Sequence, residues 1–136
     1  MKFLDANIFV RFLTGDDPAK AERCRLLFES LDRGEDEAAT SESVITEVVR
    51  VLMSKALYAR SREDTAGLLH PILAIRGLRI PAREAVVEAL DLFVDHPFLD
   101  FPDALYAAHG HHSGYEAIVS YDKEFDRVPG VVRAEP

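Results

Sequence analysis

Lys2-Phe3-Leu4-Asp5-Ala6-Asn7-Ile8-Phe9-Val10-Arg11 begins with a short apolar run, then one acid, then apolar residues at a different spacing. Lys2 to Leu4 reads as a buried strand and Asn7 to Leu13 as a short helix, which puts Asp5 at a strand's carboxyl end. Ala117-Ile118-Val119-Ser120-Tyr121-Asp122 repeats the arrangement: a strand over Ala117 to Ser120, then an acid. In open α/β sheets, ligands gather at the carboxyl ends of the strands. Two acids so placed are a reason to seek one site.

Between these segments, strands and helices alternate. Gly15-Asp16-Asp17-Pro18 breaks the first helix, with Asp17 as cap and Pro18 as first residue of a helix running to about Arg33, where Gly34 stops it. Ala38 to Thr40 is a second strand. Ser41 or Ser43 caps a helix bearing Val44, Val48, Val51 and Leu52 at helical spacing. Another helix spans Glu63 to Ile75, and Leu78 to Ile80 is a third strand. Pro81 starts a helix with Val86, Leu90, Phe93 and Val94 inward, and Pro102 begins one through about His109. Val131-Val132 is a short edge strand. The alternation predicts an α/β fold with a mostly parallel sheet.

At 136 residues and 15.2 kDa the chain has the size of one domain. Its net charge of −8 excludes a general nucleic-acid coat protein with a basic face, but not a nuclease whose acids bind cations. The lone Cys24 cannot form an internal disulfide and falls on an apolar helical face with Ala21, Leu27, Phe28 and Leu31. A buried thiol in a reducing compartment follows. No apolar run would span a membrane, and Asp5 and Arg11 interrupt what could pass for a signal peptide. A cytoplasmic protein is expected.

Glu47 and Asp103 join Asp5 and Asp122 as notable acids. Glu47 shares a helical face with Val44 and Val51, and Asp103 lies in the first turn of an alanine-rich helix. Each acid has a structural explanation singly. Glu47 can be an exposed rim residue, Asp103 is favoured by the helix dipole, and Asp5 and Asp122 can cap helices. Together in one pocket, four carboxylates would repel strongly without a divalent cation. That combination points to phosphodiester chemistry.

Four strings occur in order: Leu4-Asp5-Ala6-Asn7, Thr46-Glu47-Val48-Val49, Asp103-Ala104-Leu105-Tyr106-Ala107-Ala108, and Ser120-Tyr121-Asp122-Lys123-Glu124-Phe125. They resemble the signature segments of the PIN-domain family, in particular the VapC-type toxins of toxin–antitoxin pairs. The resemblance covers essentially the whole chain, including Asn7-Ile8-Phe9-Val10-Arg11 and the Thr14-Gly15-Asp16-Asp17-Pro18 break.

The resemblance implies a single PIN-like domain over residues 1–136, a three-layer sandwich with a short, mostly parallel sheet of four to five strands flanked by helices. It implies a metal-dependent endoribonuclease, with Asp5, Glu47, Asp103 and Asp122 holding Mg²⁺ or Mn²⁺, a choice that fits oxygen ligands without His or Cys. Asn7 and Ser120 are expected to support the ligands by hydrogen bonds. Ala6 stands where many relatives have Thr, which removes one such bond. Asp100 reads as a helix cap. Arg11 is the basic side chain best placed to contact RNA phosphate, one turn beyond Asn7. Lys123 and Arg127 read as solvated charges. The implied partners are RNA, a cognate antitoxin that covers the acids with a basic side chain, and a second copy of the chain. Leu57, Tyr58, Leu68 and Leu69 could line that homodimer interface or pack the core.

Other classes fit less well. A receiver-type signalling domain needs an adjacent acidic pair after its first strand, but Ala6 and Asn7 follow Asp5, and Asn7 also replaces the second acid of an Asp-x-Asp phosphatase. A catalytically silent PIN domain conflicts with the complete acid set, whereas a PIN nuclease of RNA maturation would look much the same. His109 and His112 have zinc-like spacing but lie near a helix end, where His is favoured anyway. No serine nucleophile or glycine-rich phosphate loop is evident.

Overall fold

The computed structural model describes residues 1–136 and contains two compact units, Met1–Pro81 and Ala82–Pro136. Five two-residue strands and six helices alternate along the chain, and every strand pair is parallel. The α/β expectation holds. The strands pair within the units as three and two.

In the first unit, β1 (Lys2–Phe3), β2 (Ala38–Ala39) and β3 (Leu78–Arg79) lie in that order, with Lys2 opposite Ala38 and Ala38 opposite Leu78. Leu4 continues β1 by donating its amide to Ala39 at 2.8 Å. Gly77 leads into β3 against the end of the second helix. A Cβ there would meet the Asp36 and Leu31 carbonyl oxygens at 2.5 and 2.6 Å, so only glycine fits.

Helix α1 (Ala6–Thr14) ends where Gly15 turns left-handed at φ 64° and donates to the Arg11 carbonyl. Helix α2 (Pro18–Asp32) starts as expected: Asp17 accepts the Lys20 amide at 3.2 Å and Pro18 opens the first turn. Cys24, Phe28 and Leu31 recur at helical spacing and are buried, confirming Cys24 as a core thiol. Phe28 packs between Phe9 and Phe12, with ring centroids 5.4 and 4.7 Å away.

Helix α3 (Glu42–Met53) is capped by Ser41, whose Oγ accepts the Val44 amide at 3.2 Å. Its buried stripe is Ile45, Val48, Val49 and Leu52, so Val44 and Val51 sit at its margins. Helix α4 (Arg62–Leu73) is capped by Ser61 and stops two residues short of the expected Ile75, with Pro71 in its last turn. Leu69 is fully buried in the core, which removes it from any interface, while Leu57 is 61% exposed.

In the second unit, α5 (Arg83–Asp95) begins after Ala82, held left-handed at φ 52°, and not at Pro81. Helix α6 (Phe101–His112) starts one residue before Pro102 and continues past His109. Its Ala104, Ala107 and Ala108 are completely buried, and Phe101 meets Phe93 of α5 edge-on at 5.7 Å. β4 (Ile118–Val119) pairs with β5 (Arg133–Ala134). The expected edge strand at Val131-Val132 is thus two residues early. Val131 is consumed by a turn, donating its amide to Val128 around Pro129-Gly130. No helix is long and apolar enough to cross a membrane.

Candidate functional site

Asp5 occupies the cap position of α1 with extended backbone, yet its side chain caps nothing. An exposed carboxylate that declines the local amides remains available as an oxygen ligand. Glu47 is also exposed, on the outward side of α3. Arg50, one turn on, holds both its oxygens, at 2.5 and 3.0 Å, and keeps the carboxyl below its usual range.

The acids of the second unit are more tightly built. Asp100 caps α6 by accepting the Asp103 amide at 2.8 Å, as the sequence suggested. Asp103 is half-buried, and its carboxyl is pushed up to about 6 by burial first, then by Asp100 and by Asp122. The negative charges of Asp100 and Asp122 thus add to the cost of burying the Asp103 carboxylate. Asp122 caps the 3-10 turn Lys123–Arg127 through the Glu124 amide at 2.9 Å. Ser120 supports this corner: its Oγ accepts the Asp122 amide at 3.0 Å, so it holds backbone where a carboxylate contact was expected. Neither unit by itself gathers three His, Cys, Asp or Glu side chains around a metal position.

Sequence reasoning missed two arrangements. Arg133, with an 11% exposed side chain, donates to the Ser120 carbonyl at 2.9 Å and pairs with Asp126 at 3.0 Å, pinning β5 beside Asp122. Only the tertiary pairing brings it there. In the first unit, Asp16 accepts from both Arg11, at 2.9 Å, and the Tyr58 hydroxyl, 42 residues away. Asn7 and Arg11 line one groove of about 460 Å³ together with Lys20 and Arg23.

The histidines are otherwise engaged. Glu88 of α5 pairs with His111 Nδ1 and His112 Nε2, each at 2.5 Å, while His109 faces Ser113. His109 and His112 are not brought together as metal ligands. Arg127 lies over the Phe98 ring at 3.9 Å and pairs with Glu124, and Lys123 is exposed, which accounts for both as surface cations.

The PIN-domain sequence pattern matches residues 2–131, through all four acidic segments. The chain belongs to the PIN-domain family. Two similar proteins are a VapC ribonuclease of Mycobacterium bovis and Ribonuclease VapC13 of Mycobacterium tuberculosis. Each is 27% identical over 134 residues, 98% of this chain and of the relative. A solved structure of VapBC2 from Rickettsia felis bound to a promoter DNA fragment covers 98% of this chain and 97% of its own, at 19% identity and a TM-score of 0.38.

Proposed function

We propose that this PIN protein is a metal-dependent endoribonuclease of VapC type, the toxin of a toxin–antitoxin pair. Family membership and two full-length VapC relatives support the reaction class. The observation that carries the chemistry is the start of α6, where Asp100 accepts the amide of the half-buried Asp103 at 2.8 Å and, with Asp122, adds negative charge to the burial that pushes the Asp103 carboxyl up to about 6, a setting that suits a divalent cation. The reading takes residues 1–136 as one PIN-like domain, because the family match runs through both units.

Asp5, Glu47, Asp103 and Asp122 are assigned as the acids that hold Mg²⁺ or Mn²⁺. Such an ion, when bound, supplies an acidified water for attack and offsets charge on the phosphodiester. The chain's own part is positional. Asp100 fixes the first turn of α6 and thereby the backbone at Asp103. Ser120 and Arg133 fix the backbone around Asp122. Asn7, exposed on α1 two residues beyond Asp5, is assigned to hydrogen-bond a ligand carboxylate or a metal-bound water. Arg11 meets RNA phosphate. The partners proposed are a VapB-like antitoxin whose basic side chain opposes the acids, and a second copy of the chain. The cytoplasm is the proposed compartment, consistent with the unpaired Cys24.

The test is cleavage of a mixed cellular RNA pool with Mg²⁺ or Mn²⁺, with chelator, and with Asp5→Asn in parallel. Discrete cuts that need metal and vanish in the variant support the reading. Folded, metal-supplied protein that cuts nothing in the pool overturns it.

A further inference from the structure

Thr40 and Thr65 are the two buried polar residues of the chain. The Thr65 hydroxyl has no partner, whereas the Thr40 hydroxyl is aimed at one. Its Oγ1 donates to the Leu4 carbonyl at 3.1 Å, across 36 residues of sequence. Thr40 follows β2, and continuing the parallel register sets it opposite Leu4, which follows β1. Its amide donates to the Arg79 carbonyl of β3 at 3.0 Å. One residue thus ties together the carboxyl ends of all three strands.

These bonds fix the residue that comes next, Asp5. Leu4 is buried, with its amide on the Ala39 carbonyl at 2.8 Å and its carbonyl on Thr40, so it is held from both sides. The Leu4 carbonyl and the Asp5 nitrogen share one planar peptide unit. The Asp5 side chain is exposed and makes no capping bond, so its carboxylate takes its place from that backbone. Glu47 takes its place from Ser41. Ser41 Oγ accepts the Val44 amide at 3.2 Å and starts α3, the helix that carries Glu47. Thr40 and Ser41 are adjacent, so one dipeptide at the end of β2 governs the backbone of two proposed ligands.

We propose, resting on the ribonuclease reading, that Thr40 is a positioning residue that sets the Asp5 carboxylate relative to Glu47 for the divalent cation. It acts through the Leu4 carbonyl. Threonine suits the task, because a β-branched side chain has few χ1 choices and so directs its donor. The plainer role is to satisfy a buried carbonyl and nothing more. That role predicts lost stability with metal affinity unmoved. The place of the bond favours the larger role, since the carbonyl it holds belongs to the peptide between β1 and Asp5.

The experiment is calorimetric titration of Mn²⁺ into folded protein, with RNA cleavage at saturating Mn²⁺ beside it. The variants are Thr40→Val, which keeps the shape and removes the donor, Thr40→Ser, which keeps the donor, Asp5→Asn, and Thr40→Val combined with Asp5→Asn. Thr65→Val is the control, the same change at a buried hydroxyl without a partner. Thr40→Val is expected to raise the Mn²⁺ Kd about ten-fold, and Thr40→Ser to hold it within about two-fold of wild type. RNA KM at saturating Mn²⁺ is expected to stay unchanged. The combined variant is expected to bind no more weakly than Asp5→Asn alone, since Thr40 acts through Asp5. Thr40→Ala repeats the deletion should Thr40→Val fail to fold. A Kd unmoved by loss of the hydroxyl overturns the inference, as does equal weakening in Thr40→Ser or Thr65→Val. Effects of Thr40→Val and Asp5→Asn that simply add overturn it too, as does a ten-fold rise in RNA KM at saturating metal. In each of these cases wild-type cleavage leaves the ribonuclease reading standing. Wild type that cuts no RNA, with or without bound Mn²⁺, removes that reading and this inference with it.

Discussion

Asp100 and Asp103 stand one helical turn apart, and the first both builds and charges the second. Its Oδ1 receives the Asp103 amide at 2.8 Å, which starts α6, while its negative charge adds to the burial that pushes the Asp103 carboxyl up to about 6. A cap that suits the helix thus leaves a neighbour frustrated, and in this protein the frustrated group is a proposed cation ligand.

This fixes a pH dependence for the metal-free protein. The ordinary value is 3.8 and the folded value about 6, so the folded state holds the proton more tightly. The stabilising contribution is complete below the ordinary value and is lost as pH rises through the folded one. Denaturant unfolding in chelator should therefore show stability falling between about pH 4 and pH 6.5, with the fall reduced in Asp103→Asn. Identical slopes for the two proteins would contradict the assignment.

Arg50 competes with any cation for Glu47. It holds both carboxylate oxygens, but the pair is exposed, with side chains 65% and 47% accessible. Arg50→Ala should leave stability nearly unchanged, because solvent screens so exposed a pair. It should also lower the Mn²⁺ concentration needed for half-maximal cleavage several-fold. An unchanged or increased metal requirement would remove Glu47 from the ligand set.

Ser41 and Ser43 were equivalent in the sequence and are not in the fold. Ser41 caps α3, whereas Ser43 Oγ bonds to Ser41 Oγ at 2.8 Å. Ser41→Ala should destabilise by about 1 kcal/mol and Ser43→Ala by less than about 0.5 kcal/mol. Thermal and denaturant melts would check this, and equal losses would refute the capping assignment.

Gly77 admits no side chain without moving backbone, because both near oxygens belong to main-chain carbonyls. Gly77→Ala should cost about 3 kcal/mol or prevent accumulation of soluble protein. A variant as stable as wild type would mean that the turn before β3 can open.

Thr65 presents the opposite opportunity. Its hydroxyl is wholly buried in α4 without a hydrogen-bond partner. Thr65→Val keeps the shape and removes the unsatisfied oxygen, so it should stabilise by about 1 kcal/mol. A lower melting temperature would show that the hydroxyl is satisfied in solution.

Local signals were legible where a residue acts within its own turn. Asp17 and Asp100 each cap through an amide three residues on, and the spacing announces it. Period also sufficed for the buried face of α2, whereas on α3 it favoured Val44 and Val51, which lie at the margins of a stripe built by Ile45, Val48, Val49 and Leu52. It failed at β5, because two-residue strands carry no periodicity and the turn at Pro129-Gly130 shifted pairing to Arg133–Ala134. The four acids could be chosen by their ordered strings, but their environments could not. Whether a carboxylate is free like Asp5, bound to Arg50 like Glu47, or crowded like Asp103 depends on neighbours.

By itself, the sequence determined the α/β alternation, the helix caps, the family and the acids in their order. These rest on spacing, handedness and short-range hydrogen bonds, which a chain carries wherever it goes. Only the tertiary structure decided that Tyr58 would hold Asp16 against Arg11, that Arg133 would reach Ser120, and that Glu88 would take His111 and His112. Those contacts join residues far apart in the chain. No local pattern encodes them, because packing must first pay the entropy of closing the chain between them.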